Sequence, residues 1–454
     1  MNKVKIFFVL LISILVLSGC GRHSTIETPQ STPSQPADQT PGTVQKGVAW
    51  AKKYSGVAYF NSIQELADGG YILAGDTSSW DGSTISDILV LKVNSNGEKE
   101  WAKAFGRNGG YNGVPVVQST NDGGYFVAGV TGSYVKGSGR FIIVKFNSKN
   151  DEEWAKAFGL GEKTISSFPT DFSIQQTDDG GFVVASWVGG SCFVLKLDPK
   201  GNKEWLKVFD NKIILHSVKQ MKDGGYIIAG GIGDHPLGLL IKLEKNGSIE
   251  WAKTYKVSKW GNDFSYVEQT NDRGCIAVSP EFVMDMASKS SYSLVLKLDE
   301  NGNEEWRKIL GPCVVYHVSS IKQTNDGGYI AVGWKTIGNK VNDFIIKFDS
   351  KGKTEWAKLV DRDDNFRLIQ QTNDGGYITA GMAVFKFDPR GNIGKNCNYL
   401  KDYNPETVIP PFEVKMTDIT KEVKVEPEPS FISVPVNLSF IAKDVQVTTI
   451  CDGK

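Results

Sequence analysis

Residues 370–381 read QQTNDGGYITAG, and residues 323–333 read QTNDGGYIAVG. The phrase recurs with drift along the whole chain. Aligned on its aspartate, the copies fall at Asp68, Asp122, Asp179, Asp223, Asp272, Asp326 and Asp374, spaced 44 to 57 residues apart. Five positions before each aspartate stands a β-branched residue: Ile63, Val117, Ile174, Val218, Val267, Ile321 or Ile369. Seven positions after it stands a small one: Gly75, Gly129, Ser186, Gly230, Ser279, Gly333 or Gly381. A catalytic group is needed once, whereas a residue present in every copy belongs to the architecture. Asp-Gly-Gly is a hairpin signal, because aspartate accepts backbone N–H bonds within its own turn and glycine adopts positive φ.

Beyond each copy lies an apolar run carrying a lysine (Lys92, Lys145, Lys196, Lys242, Lys297, Lys347, Lys386). An Asn-Gly-like turn and a tryptophan follow in six units, at Trp101, Trp154, Trp205, Trp251, Trp306 and Trp356. Each unit therefore reads as four strands, A to D, with tight A–B and C–D turns. The seventh unit lacks strand D, while the residues before the first unit, Val48-Ala49-Trp50-Ala51-Lys52, spell one. Pairing Trp50's strand with the last unit closes a ring and removes two exposed edges. The expected fold is all-β: a seven-bladed propeller of four-stranded antiparallel blades over residues 47–391. The recurring tryptophans are expected to pack between blades, and the strand C lysines to form solvated pairs with Glu100 to Glu355 on strand D. In unit five, Asp272-Arg273-Gly274 breaks the glycine pair and leaves that turn's type open.

The run 195–205, LKLDPKGNKEW, resembles the tryptophan-docking motif of quinoprotein-type (PQQ-like) propellers, and residues 47–391 resemble bacterial surface propellers of Asp-Gly-Gly-Tyr repeats. The T-N-D-G-G turn loosely resembles the sialidase Asp-box, without the tryptophan that follows it there. The resemblance implies a fold and little function, since such propellers host unrelated activities. A quinoprotein dehydrogenase would imply adjacent cysteines, and the chain has none.

The first 20 residues, MNKVKIFFVLLISILVLSGC, combine a basic start with an apolar run too short to span a bilayer. They end in Leu17-Ser18-Gly19-Cys20, which resembles a bacterial lipobox and implies lipidation of Cys20 and an anchored, extracytoplasmic protein. Residues 21–46, rich in Ser, Thr, Pro and Gln, read as a flexible tether. Residues 392–454 are rich in Val, Thr, Pro and Ile and predict short strands, either as a small β module or as an arm lying on the ring. Cys397 and Cys451 bracket this tail, and export permits a disulfide between them. Cys192, Cys275 and Cys313 fall in different units and read as buried small residues.

Lys plus Arg and Asp plus Glu both number 51, so no global field points to nucleic acid. The variable B–C and D–A loops share one face, where binding residues are expected. Trp80, Tyr111, Tyr134, Trp260 and Trp334 fall there as candidates for stacking on a sugar or anchoring a protein; Trp187 and Trp334 follow strand B at equivalent positions, which fits packing equally well. His216, His235 and His317 lack ligand spacing, so no metal or other cofactor is expected. The functional expectation is a binding or scaffold module for a protein or polysaccharide. The alternatives are a glycan hydrolase or lyase working in the channel, and a purely structural envelope protein.

Overall fold

The structure, a computed structural model, describes residues 48–77, 87–105, 112–131, 138–160, 172–188, 191–210, 212–233, 237–256, 261–283, 290–394, 397–405, 415–426, 431–436 and 441–452. The chain divides into two units, Met1–Thr43 and Val44–Lys454, and all described residues belong to the second. Cys20 lies outside them.

Seven antiparallel blades form the ring, and no helix occurs among the described residues. The innermost strands are Val57–Glu65, Asn112–Ser119, Phe172–Gln176, Ile213–Gln220, Tyr266–Gln269, Tyr316–Gln323 and Leu368–Gln371. Strand D of blades one to six is Lys99–Phe105, Glu152–Leu160, Lys203–Phe209, Ile249–Lys256, Glu304–Cys313 and Thr354–Val360. Blade seven takes Trp50–Tyr54 as its strand D, with Trp50 opposite Lys386 and Lys52 opposite Val384. Strands B and C are buried nearly end to end, as in Tyr71–Thr77 and Ser291–Leu298, because neighbouring blades cover both their faces. Core clusters accordingly join residues of adjacent blades, such as Phe141 of blade two with Phe172 and Phe193 of blade three.

The repeated phrase divides its labour within the turn. Each aspartate accepts the N–H of the residue two ahead through Oδ1, at 2.9 Å for Gly70 and 3.0 Å for Gly376. The first glycine sits in the left-handed region, Gly69 at φ 79° and Gly327 at φ 80°. Arg273 adopts the same conformation at φ 71°, and Asp272 still accepts the Gly274 N–H, so blade five keeps the turn at the cost of backbone strain. The second glycine is required for a different reason. A Cβ on Gly124 would stand 2.1 Å from the carbonyl oxygen of Phe146.

Each turn aspartate also meets the strand C lysine of its own blade, at 2.8 Å for Lys145–Asp122 and 2.9 Å for Lys347–Asp326. The strand D glutamate holds the same ammonium from the other side, at 3.0 Å for Lys145–Glu153. Six of the seven lysines are buried rather than solvated, Lys196, Lys297 and Lys386 at 1% exposure each, and Lys92 is half-buried. Only their carboxylate partners face water. An ammonium can be buried this way because two carboxylates and a backbone carbonyl take its protons.

Strand D carries the joint between blades. The Trp50 ring lies against the C–D turn of blade one, where a Cβ on Gly97 would stand 2.8 Å from it, and its Nε1 donates to Ser95 O at 2.9 Å. Trp306 packs on Gly352 and Trp356 on Gly391 in the same way. The rings also meet the first aromatic of the next blade's strand B, edge-on for Trp306 with Tyr329 at 5.4 Å. In blade two the turn against which Trp101 would pack uses Asn150 at φ 68° in place of glycine.

The tail is an arm lying on the ring, as one of the two expectations had it, and not a separate module. It runs back around the ring, adding a fifth antiparallel strand to one blade after another. Leu400–Asp402 pairs with blade six, Lys415–Asp418 with blade four and Val425–Glu426 with blade three. Phe431–Pro435 then pairs with blade two, Ile441–Ala442 with blade one and Val447–Asp452 with blade seven. Residues 406–414 lie outside the described residues, and blade five has four strands among them. A disulfide joins Cys397 to Cys451, with Cα atoms 5.3 Å apart, so the belt is closed onto itself. Its apolar side chains cover the blade edges: Ile419, Val445 and Cys451 are at most 7% exposed.

Candidate functional site

The inner strands enclose a channel with a cavity of about 550 Å³. Seven-fold repetition fails on its wall. Four positions before each turn aspartate the residues run Gln64, Gln118, Gln175, Lys219, Glu268, Lys322 and Gln370, all of which line the cavity. Four glutamines are interrupted by three consecutive charged residues on blades four, five and six.

The glutamines stitch the ring. Gln118 Oε1 accepts from Gln176 N at 3.2 Å, Gln175 Oε1 from Gln220 N at 2.8 Å, and Gln370 Oε1 from Glu65 N at 3.4 Å. The next residue along reaches the previous blade's turn, as in Asn325 N to Gln371 Oε1 at 2.8 Å.

At the interruption, Glu268 Oε2 accepts from Lys322 Nζ at 2.6 Å and from the Tyr266 hydroxyl at 2.7 Å. These side chains lie deep in the channel but stay open to the cavity, Lys322 at 32% and Glu268 at 22% exposure. Burial alone would raise the Glu268 pKa, but the Lys322 and Lys219 charges outweigh it and hold the carboxyl down. Lys219 has no hydrogen-bond acceptor among the described residues, and its Nζ stands 5.8 Å from the Tyr266 ring centre. Burial, with the Lys322 ammonium beside it, brings Lys219 down to about 8 against the pull of Glu268.

About three residues closer to the B–C and D–A face, the mouth carries a second group. Arg367 donates to Asn61 Oδ1 at 2.8 Å and lies 4.5 Å over the Tyr59 ring. Asn61 in turn donates to Asp76 Oδ2 at 2.7 Å. Burial pushes Asp76 up to about 6, and its Oδ1 is buried without a partner. His216 Nε2 lies 3.0 Å from Asp263 Oδ2. Burial pushes His317 down to about 4, so its ring is neutral at pH 7.

Among the loop-face candidates, Trp334 is half-buried and stacks on His317 with ring centres 5.1 Å apart, a packing partnership beside the mouth. Trp80, Tyr111, Tyr134 and Trp260, like His235, lie outside the described residues, and the Trp187 side chain does too. Lysines also stand two residues after the tryptophans, at Lys52, Lys103, Lys156, Lys207, Lys253, Lys308 and Lys358. Lys52 pairs with Glu98 of the neighbouring blade, and Lys358 pairs with Asp402 of the belt at 2.6 Å. Reading the inner strand for lapses in the repeat, rather than the loops for aromatics, is what finds Lys219, Glu268 and Lys322. No cluster of metal-ligating side chains occurs among the described residues.

No protein-family model matches the sequence, and neither does any curated protein. Among solved structures the chain is similar to streptogramin B lyase, at 12% identity over 74% of this chain and 97% of that one, TM-score 0.44. It is similar to Sqt1 from Chaetomium thermophilum at 11% identity over 76% and 99%, TM-score 0.44. A protein of unknown function from Bacteroides caccae matches at 15% identity over 63% and 92%, TM-score 0.38. At these identities and TM-scores the likeness assigns no activity or partner.

Proposed function

We propose that the chain is a lipid-anchored, extracytoplasmic binding module whose ligand is a polar small molecule, or the end of a glycan, entering the channel from the B–C and D–A face. The observation that carries this reading is the lapse of the repeat on the channel wall. A purely structural ring gains nothing from replacing three consecutive stitching glutamines with Lys219, Glu268 and Lys322. A polar cavity of this size suits a small polar ligand. The Leu17–Cys20 lipobox supports the anchor, and the tryptophan-on-glycine joint supports kinship with quinoprotein-type propellers. A hydrolase would need two carboxylates across the cavity. Among the described residues Glu268 is the one carboxylate lining it, and Lys322 and Tyr266 already hold it.

Binding is tested by titrating the full chain, in detergent micelles, against a panel of neutral and acidic glycans and cell-wall polymers. Saturable binding weakened at least tenfold in Arg367→Ala is the expected result; a flat response across the panel overturns the reading. The anchor is tested separately by labelling cells with an alkyne fatty acid, which should mark the wild type and leave Cys20→Ser unlabelled.

A further inference from the structure

The hydrogen-bond inventory of the channel is lopsided. Gln118, Gln175 and Gln370 commit their amide oxygens to backbone N–H groups of the next blade, which fixes each amide's orientation. Each Nε2 is left with no acceptor among the described residues. The Lys219 ammonium is likewise without one, whereas Lys322 spends its charge on Glu268. Glu268 Oε2 is already taken twice, and Gln64, the fourth glutamine, turns its Nε2 to Glu65 O, so the acceptors left at this level are Glu268 Oε1 and Gln64 Oε1. This level of the channel thus presents three amide groups and one ammonium as donors, with a net charge of one positive from Lys219, Lys322 and Glu268. A surplus of unmet donors in a confined cavity is matched by a ligand rich in acceptors that carries one negative charge.

We infer that the channel seats the carboxylate of a uronic-acid sugar, its charge on Lys219 and its ring and hydroxyl oxygens on the amide donors of Gln118, Gln175 and Gln370. The inference rests on the binding-module reading and names the ligand class for that site. A neutral sugar would leave the ammonium unmatched. A phosphate dianion seated at Lys219 would bring one charge more than Lys219 balances, since Lys322 is already neutralised and Arg367, the other cation of the lining, stands at the mouth and donates to Asn61. An amino acid, being a zwitterion, would leave the net positive charge of this level unbalanced. A uronate leaves none of these mismatches, and 550 Å³ accommodates one sugar ring with water around it.

Isothermal titration of the full chain, in detergent micelles, with glucuronate, glucose and inorganic phosphate tests the assignment. Glucuronate should bind at least tenfold more tightly than glucose or phosphate. Lys219→Met should weaken it at least tenfold, Lys219→Arg should restore part of the loss, and Gln175→Leu should weaken it less. Affinity should also fall as pH rises past about 8, where Lys219 loses its proton. The groups facing Lys219 do not titrate there: Tyr266 and Lys322 are held above their ordinary values, and Glu268 below its own. Equal affinity for glucose, tighter binding of phosphate, or indifference to Lys219→Met overturns the inference. If panel glycans bind through the Arg367 mouth while glucuronate neither binds nor competes, the uronate assignment falls and the module stands. If nothing saturates, both fall.

Discussion

The inner wall of the ring and its outer wall obey opposite rules. The outer wall is repetitive: tryptophan, docking glycine, turn aspartate and buried lysine return in blade after blade. The belt that covers it has no repeat at all, yet among the described residues it pairs with six of the seven blades because their edges are alike. The inner wall starts from the same repeat and departs from it at one arc. Repetition therefore marks what every blade needs to stand beside its neighbour. A lapse in repetition, on the surface that encloses the cavity, marks what the molecule needs only once.

The largest expected effect follows from the repeated side of this contrast. The turn aspartates lie below their ordinary pKa, Asp122 at about 2, because buried lysines and turn N–H donors outweigh burial. A lowered carboxylate contributes stability above its unfolded value and loses it as pH falls through its folded one. All seven turns should thus weaken together between about pH 4 and pH 2. Asp76 and Asp343, raised by burial to about 6 and about 8, run the other way: their protonation adds stability as pH falls from 8 toward 4. Chemical denaturation across pH should show a maximum on the acid side of neutrality, then cooperative collapse below pH 4. Blades lost one at a time would break the idea of a common device.

Next in size is the ring closure. Trp50 is 2% exposed and joins the first described strand to both blade seven and blade one. Trp50→Ala should cost about 3–5 kcal/mol, the range for emptying a buried tryptophan site. Trp306→Ala, at a half-exposed joint between consecutive blades, should cost less. Equal losses in urea titrations would mean that closure is no more demanding than any other joint.

The belt comes third. The Cys397–Cys451 bond closes a loop with a sequence separation of 54, and removing such a link typically costs about 2–4 kcal/mol. Cys451→Ser and reductant on the wild type should lower the melting midpoint equally, since Cys397–Cys451 is the one disulfide among the described residues. An unchanged midpoint would mean that strand pairing alone holds the belt.

How far each wall can be read from sequence has a physical reason. The ring follows from Asp, Gly and Trp because each answers a local need that any blade has: a turn, a positive φ, a joint. The belt's strands run from two to six residues, and their partners are chosen by the edges they cover, so their alternation fits a separate module equally well. A trace was present in strand D. Ala102, Ala155, Ala252 and Ala357 follow their tryptophans and are buried, although they sit on what reads as an outer edge. Blade five has Arg307 there, half-exposed, and no fifth strand among the described residues. The channel residues were plain in the alignment. Their meaning depended on knowing that the position four before the aspartate faces the axis, which the period-two alternation of a strand leaves ambiguous until the blades are stacked.

The smallest effect sets the two walls against each other most directly. If Lys219 serves a ligand rather than the ring, the free protein bears it as a cost. Burial lowers its pKa to about 8 from an ordinary value near 10.4, so the folded state disfavours its charge. That penalty is fully present below pH 8 and disappears as pH rises toward 10.4, where the unfolded chain loses the same proton. Lys219→Met should therefore stabilise the protein at pH 7, on the order of 1 kcal/mol once the water in the channel has screened the charge. The gain should shrink to nothing by about pH 10.4. Lys297→Met, in the repeated outer set, should show no such gain, because Asp272 and Glu305 hold its ammonium at 2.8 and 2.6 Å. Thermal melts of both variants at pH 7 and pH 10 separate the cases: a stabilised Lys219→Met with destroyed glucuronate binding identifies a residue kept for function against stability, while a destabilised one makes Lys219 part of the frame.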